Sequence, residues 1–587
     1  MKTFFKIFFA SLLALIVFTV IGLFILIGFI STATTSEVPV VGSKAVLVLD
    51  LSVNFKEQAV EDPLGELFSS AEANKPSLFD VVRLLGEAKS DSAVKGIYIL
   101  ASDNANGFSS SEELRKAVLD FKKSGKFVIA YGETMTQKAY YVASAAERVY
   151  VHPQGGLEWS GFSSNLLFLK GMLDKLQIEP QIFYAGKFKS ATEPLRETKM
   201  TEANRLQTSV WLGDLYSAFL KAASTARKID TAVLHQLANE GDIQTAVDAE
   251  KYQLVDGLKY DDEVKGEILQ RLKKGAGSSI NFVTINEYAA ATTLGDFSGS
   301  GKIAIIYAQG DIVSQEGDEE QVSSDLYKNV IRRARLDKDI KAIVLRVNSP
   351  GGSALASDVI WREISLARKE KPVVVSMGDV AASGGYYIAC NADAVFANET
   401  TITGSIGVFS IVPNFESFLK NKLGITTDRV RTAPYADMGA GDRPLTAIEK
   451  RFFQAATDSI YHTFKKRVAE GRERNIEYID SIAQGRVWTG KRALEVGLVD
   501  KIGTLQDAVK HAAKLAKIDD DDYRLREYPE KKNFFEQIMG NYKRSIKTNL
   551  IKDEIGVEQW QLMQQFRQVK QMVGEPQARV PYFLTIH

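Results

Sequence analysis

The sequence predicts an α/β protein of two tandem repeats set behind an N-terminal membrane-spanning helix. Three observations predict it: a charge-free apolar stretch near the start, a series of short segments that recurs about 246 positions later, and an alternation of β-branched runs with helix-like stretches inside each copy. The 587 residues exceed one ordinary domain, which runs to about 100–200 residues. An apolar fraction of 45% and a charged fraction of 25% are those of a globular chain. Lys plus Arg balance Asp plus Glu at 73 each, so no basic excess invites a polyanion, and nucleic acid is not expected as a partner.

Residues 1–6 form a short tail carrying Lys2 and Lys6, and residues 7–30 carry no charge at all. At about 1.5 Å per residue that stretch makes roughly 36 Å of helix, enough for a hydrocarbon core of about 30 Å. The first charge beyond it is Glu37, so the positive-inside bias puts the short tail in the cytoplasm and the body outside, in a single-pass topology. A cleaved signal peptide is the competing reading, because Ser31-Thr32-Ala33 has the small residues a signal peptidase needs. The apolar run is far longer than the about 7–15 residues of a secretory core, which favours an uncleaved anchor.

Two copies follow. Lys95-Gly-Ile-Tyr-Ile-Leu resembles Lys341-Ala-Ile-Val-Leu-Arg, and Phe127-Val-Ile-Ala-Tyr-Gly resembles the segment from Val373 to Gly378. Tyr140-Tyr141 falls on Tyr386-Tyr387, and Leu254-Val-Asp-Gly-Leu echoes Leu498-Val-Asp-Lys-Ile. The first repeat is placed at 44–264 and the second at 301–518. Apolar β-branched runs at 45–49, 303–307, 343–347 and 373–376 predict strands buried on both faces. Stretches 110–122 and 357–369 mix apolar and charged positions at helical spacing, so parallel pairing through right-handed crossovers is expected. Residues 265–300 read as a connector without sustained periodicity, and the tail 519–587 as polar and helix-prone around 557–573.

The single cysteine, Cys390, excludes an internal disulfide and the common zinc sites, and its expected role is that of a small buried apolar residue. The five histidines form no HExxH arrangement, and no cofactor or metal is expected. Chemistry is better sought in four small-residue loops. Asn348-Ser-Pro-Gly-Gly-Ser353 follows a strand and precedes a helix, a turn able to present N–H groups to an oxyanion or to serve as a plain connection. Gly378-Asp-Val-Ala-Ala-Ser383-Gly-Gly-Tyr puts a hydroxyl among small flanks at a predicted helix start, where helix packing is the alternative reading. Thr403-Gly-Ser405-Ile-Gly is compatible with a tight turn alone. With no patterned histidine near Ser383, a lysine is the natural base to look for, provided burial lowers its pKa. Lys189, in Gly186-Lys-Phe-Lys-Ser-Ala-Thr-Glu-Pro, has an aromatic before it and small residues after it; a solvated lysine is its ordinary alternative.

These four motifs, in this order behind an anchor, resemble the bacterial signal peptide peptidase A family in its long two-repeat form. The resemblance implies the fold shared by Clp protease and crotonase, a Ser/Lys dyad drawn from different repeats, and a homotetramer in the bacterial inner membrane with a periplasmic body. It implies Ser383 as nucleophile, Lys189 rather than Lys187 as general base, and Ser405 as the hydroxyl that positions the lysine. Gly351 and Gly352 become the oxyanion donors, with Gly352 favoured. The implied substrates are signal peptides left in the membrane after secretion. The internal alignment supports a division of labour: Gln137 lies opposite Ser383, Lys138 opposite Gly384, Trp159 opposite Ser405, and Tyr435 or Ala436 opposite Lys189. Two other readings remain at this point, an inactive membrane-tethered scaffold and a crotonase-like acyl-CoA enzyme, since fold alone does not decide function.

Overall fold

The computed structural model describes residues 2–33, 41–59, 75–292, 299, 301–314, 321–519, 522–530, 572 and 575–580. The charge-free stretch 7–30 lies within a helix, Lys2–Ala33. Among the described residues no helix is long and apolar enough to cross a membrane, and the side chains of 23–33 lie outside them.

The first half of the chain supplies β1 (Ala45–Asp50), β2 (Val94–Leu100), β3 (Phe127–Met135), β4 (Arg148–Leu157), β5 (Glu179–Ala185), β6 (Gly257–Leu258) and β7 (Asn281–Thr284). All but β5 form one sheet in the order β6-β4-β3-β2-β1-β7, and each of its pairings is parallel. The second half supplies β8 (Gly301–Gln309), β9 (Asp311–Val313), β10 (Gln321–Ser323), β11 (Ile340–Ser349), β12 (Gly351–Ser353), β13 (Val373–Ala382), β14 (Ala394–Ala397), β15 (Ile402–Gly404), β16 (Val408–Asn414), β17 (Val487–Thr489), β18 (Lys501–Ile502), β19 (Tyr523–Tyr528) and β20 (Gln577–Arg579). Its main sheet runs β17-β15-β13-β11-β8-β19, with β14 on β13 and β18 on β14. A third sheet, β10-β9-β12-β20-β16-β5, draws on both halves and on the tail.

The central strands are apolar on successive residues because helices cover both faces of a parallel sheet. Val373, Val374, Val375 and Met377 of β13 are all buried. Helix Leu505–Leu515 shows how a covering element is specified. Thr504 and Asp507 close a capping box at its start, and Leu505, Ala508, Val509, Ala512 and Ala513 make one buried stripe against Ile303, Ile305 and Val344.

Two expectations need correction. The stretch 265–300 is no bare connector: β7 pairs with β1 in parallel, and Ile285 and Tyr288 of the following helix are buried in the first core. A four-residue strand at a sheet edge is too short to show a period of two, which hid it in the sequence. The tail is likewise not simply helical. β19 completes the second sheet beside β8, as β7 does beside β1, and β20 enters the third sheet. The helix-prone stretch 557–573 lies outside the described residues apart from Met572, which packs with Ala191, Leu195 and Phe409.

The halves are locked together through charge. Arg346 of β11 is buried and its guanidinium holds Glu57 at 2.8 Å and Glu113 at 2.9 Å, both from the first half. Burial pushes the Glu113 carboxyl up, against the pull of Arg346. Asp379, just after β13's Gly378, accepts the Ser110 N–H at 2.9 Å and the Ser110 hydroxyl at 2.6 Å, at the start of helix Phe108–Lys122.

Candidate active site

β5 carries the lysine to the second half. It pairs with β16 over seven residues, from Ala185 opposite Val408 to Glu179 opposite Asn414. At its end Gly186 turns at a φ of +112°, and a Cβ there would lie 2.6 Å from the Gln484 carbonyl carbon, so only glycine makes this exit. The Phe188 N–H donates to the Gln484 carbonyl at 2.7 Å, and Gln207 donates to the Ser190 hydroxyl at 2.9 Å and to the Phe188 carbonyl at 3.0 Å. Glu193, buried, accepts from Thr201 and Asn204, which explains the Thr-Glu-Pro end of the motif. Lys187, two residues earlier, stays exposed.

The lysine stem then passes two glycines of the second half. A Cβ on Gly485 would stand 2.7 Å from that of Lys189, and one on Gly407 would stand 3.1 Å from its Cδ. Lys189 is 2% exposed, and burial holds its amine well below the ordinary 10.5. Its Nζ lies 2.7 Å from Ser383 Oγ, 3.1 Å from Ser405 Oγ and 3.2 Å from the Ser405 carbonyl oxygen. A neutral amine has one lone pair and two N–H groups. The lone pair suits the Ser383 O–H, and the N–H groups suit the two Ser405 oxygens.

Ser383 sits where β13 gives way to helix Gly384–Ala389, with φ +57° and ψ −113°. That is an uncommon conformation for a residue with a Cβ, costing about 1–3 kcal/mol and sustained by its surroundings. The Ser383 N–H donates to the Gly404 carbonyl at 2.7 Å, and its carbonyl accepts from Tyr387 at 2.8 Å. Gly385 lets the helix approach β11, since a Cβ there would lie 2.5 Å from the Ser349 carbonyl oxygen.

The structure divides the two oxyanion candidates. The Gly351 N–H donates to the Ser349 hydroxyl at 3.2 Å, whereas Gly352 is paired with Ala578 of β20 and Ile312 of β9. A third candidate escaped the sequence reading, which treated Gly384 only as a small flank. As the first residue of its helix Gly384 has an N–H without an intrahelical acceptor, and that nitrogen lies 2.6 Å from where a Cβ of Gly351 would stand.

The corresponding positions of the first repeat are filled for packing. Gln137 donates to the Gly161 carbonyl at 2.9 Å, and the Trp159 indole donates to the Leu234 carbonyl at 2.9 Å. Tyr435 is exposed. Cys390 is buried, its Sγ donates to the Tyr387 carbonyl at 3.2 Å, and burial pushes its thiol up to about 12, so it is no nucleophile near neutral pH.

A family model described as peptidase family S49 matches residues 120–277 and 365–519, one span in each half. Protease 4 of Salmonella typhi is 37% identical over 526 residues, covering 86% of this chain and 84% of its own length. Protease 4 of Haemophilus influenzae is 34% identical over 503 residues, covering 83% and 80%. The chloroplastic serine protease SPPA of Arabidopsis thaliana is 35% identical over 443 residues, covering 74% of this chain and 64% of its own.

Proposed function

The chain belongs to peptidase family S49 and is a serine protease; on that premise we propose a membrane-anchored endopeptidase with Ser383 as nucleophile and Lys189 as base, acting on signal peptides left in the membrane after secretion. The observation that carries the assignment of roles is the 2.7 Å approach of the buried Lys189 amine to Ser383 Oγ.

Neutral Lys189 takes the Ser383 proton as the oxygen attacks a peptide carbonyl. The N–H groups of Gly352 and Gly384 hold the negative oxygen of the tetrahedral intermediate, each such donor typically supplying about 2.7–4 kcal/mol. The ammonium so formed gives its proton to the leaving amine, and water then releases the acyl group by the same path in reverse. Ser405 keeps the amine aimed at Ser383 by offering two acceptors.

The anchor reading draws on the absence of charge in 7–30 and on the exposure of Ile7, Leu13 and Phe18 in helix Lys2–Ala33. Lipid covers such a face, the tail with Lys2 and Lys6 stays cytoplasmic, and the body stands in the periplasm of a bacterial inner membrane. Tethering there brings the site to peptides that remain in the bilayer. The fold reading is that of Clp protease and crotonase, with a homotetramer as the assembly.

Peptidase assays on the detergent-solubilised full chain test the roles. Ser383→Ala and Lys189→Ala each lower turnover of a signal-peptide substrate by about 10³-fold or more with an unchanged circular dichroism spectrum. Turnover by Ser383→Ala at the unsubstituted rate removes the proposal.

A further inference from the structure

β20 belongs to neither repeat, yet it occupies the sheet that carries the glycine turn. β12 flanks it on one side and β16 on the other, both antiparallel to it. Backbone bonds fix its register: the Ala354 N–H donates to the Pro576 carbonyl at 3.1 Å, and the Val580 N–H to the Pro350 carbonyl at 3.0 Å. Gly351 then faces Arg579, and Gly352 faces Ala578. A Cβ on Gly351 would collide with the Ala578 carbonyl oxygen, and one on Gly384 would stand 3.1 Å from it. That carbonyl therefore lies against the two glycines on either side of the approach to Ser383.

The next side chain is placed as specifically. Arg579 is 2% exposed and ion-paired with Asp311 of β9. At the other end of the strand Glu575 accepts from the Ser353 and Ser314 hydroxyls, each at 2.9 Å. Val580 packs with Ala382, Ile402 and Val487.

We propose that residues 575–580 trace the path of a bound peptide, and that Asp311 selects a basic side chain at the residue following the carbonyl held by the glycine turn. The inference rests on the reading of Ser383 and its glycines as the catalytic centre. Asp311 loses the Arg579 cation when another peptide displaces β20, and a peptide bringing arginine or lysine restores that pair. An acidic side chain at the same place adds like-charge repulsion. One consequence concerns the chain itself: β20 already pairs with Gly351 and Gly352, so the tethered strand leaves before another peptide takes that register.

The test uses the full chain with Ser383→Ala and three labelled peptides, Glu-Pro-Gln-Ala-Xaa-Val, in which Xaa is arginine, glutamine or glutamate. Binding is read by fluorescence anisotropy. The tethered strand competes with all three alike, so their ranking is the result. With Asp311 present, the arginine peptide binds roughly 30-fold tighter than the glutamate peptide. Asp311→Arg inverts the order, and Asp311→Asn narrows it to within about threefold, which decides the matter if the arginine variant does not fold. A ranking that ignores Asp311, or no saturable binding of the arginine peptide, overturns the inference. Turnover of the same peptides by the unsubstituted chain separates the two readings. Cleavage without dependence on Xaa sinks the role of Asp311 alone, whereas ranked binding with no cleavage sinks the catalytic reading of Ser383 alone.

Discussion

Lys189 works as a base only if its amine reaches Ser383 without passing through water, and two glycines make that route. Gly407 ends the Thr403-Gly-Ser-Ile-Gly motif, where the sequence offered only a tight turn and a hydroxyl. A Cβ at Gly407 would stand 2.8 Å from Gly485 Cα, 3.0 Å from the Ala185 carbonyl oxygen and 3.1 Å from Lys189 Cδ. Gly407→Ala therefore pushes on the Gly485 backbone as well as on the lysine stem, so peptidase kcat falls by about 100-fold and the melting temperature falls with it; steady-state kinetics beside a thermal scan check it. At this scale the sequence was most legible. Small residues around a hydroxyl, and a lysine followed by small residues, are chemical choices visible without coordinates. Which N–H groups face the substrate was not visible, because the Ser349 hydroxyl that engages Gly351 acts through geometry rather than spacing.

Elements bring these residues together from distant parts of the chain. Lys189 follows β5, a first-half strand that pairs antiparallel with β16 of the second half and so belongs to neither half's main sheet. Its side-chain alternation gave no hint of that partner, because strand pairing depends on what lies opposite rather than on the strand's own residues. The long buried strands and the helices near 110–122 and 357–369 were legible from periodicity, and the structure has them at Phe108–Lys122 and Ala354–Arg368. The short strands β7, β19 and β20 were not, since three to six residues hold too few turns of a pattern. Helix Phe108–Lys122 has its own test. Its N-cap, Gly107, makes no side-chain cap, and Asp379 from the other half accepts from Ser110 instead. Asp379→Ala removes both bonds and lowers unfolding stability by about 1.5–3 kcal/mol in urea titrations.

Over the whole molecule, each repeat supplies what the other lacks: one gives an amine, the other a hydroxyl and its glycines. The recurrence at a nearly constant offset was legible in the sequence, but the contacts that fix one copy against the other were not. The strongest is the buried Arg346 with Glu57 and Glu113. Arg346→Met leaves two carboxylates enclosed without their cation and costs about 3–5 kcal/mol, read as a lower urea midpoint for the full chain. The account as a whole depends on an uncharged Lys189 activating Ser383, and one experiment meets that claim directly. A fluorophosphonate is reacted with the full chain and with Lys189→Met across a range of pH, and the adduct is located by mass spectrometry. The amine is neutral above its lowered pKa and protonated below it, so the rate rises with pH along a limb well under 10.5. The adduct sits on Ser383, and Lys189→Met abolishes that limb. An adduct on another residue, or a Ser383 labelling rate that is the same with methionine at 189, contradicts the account.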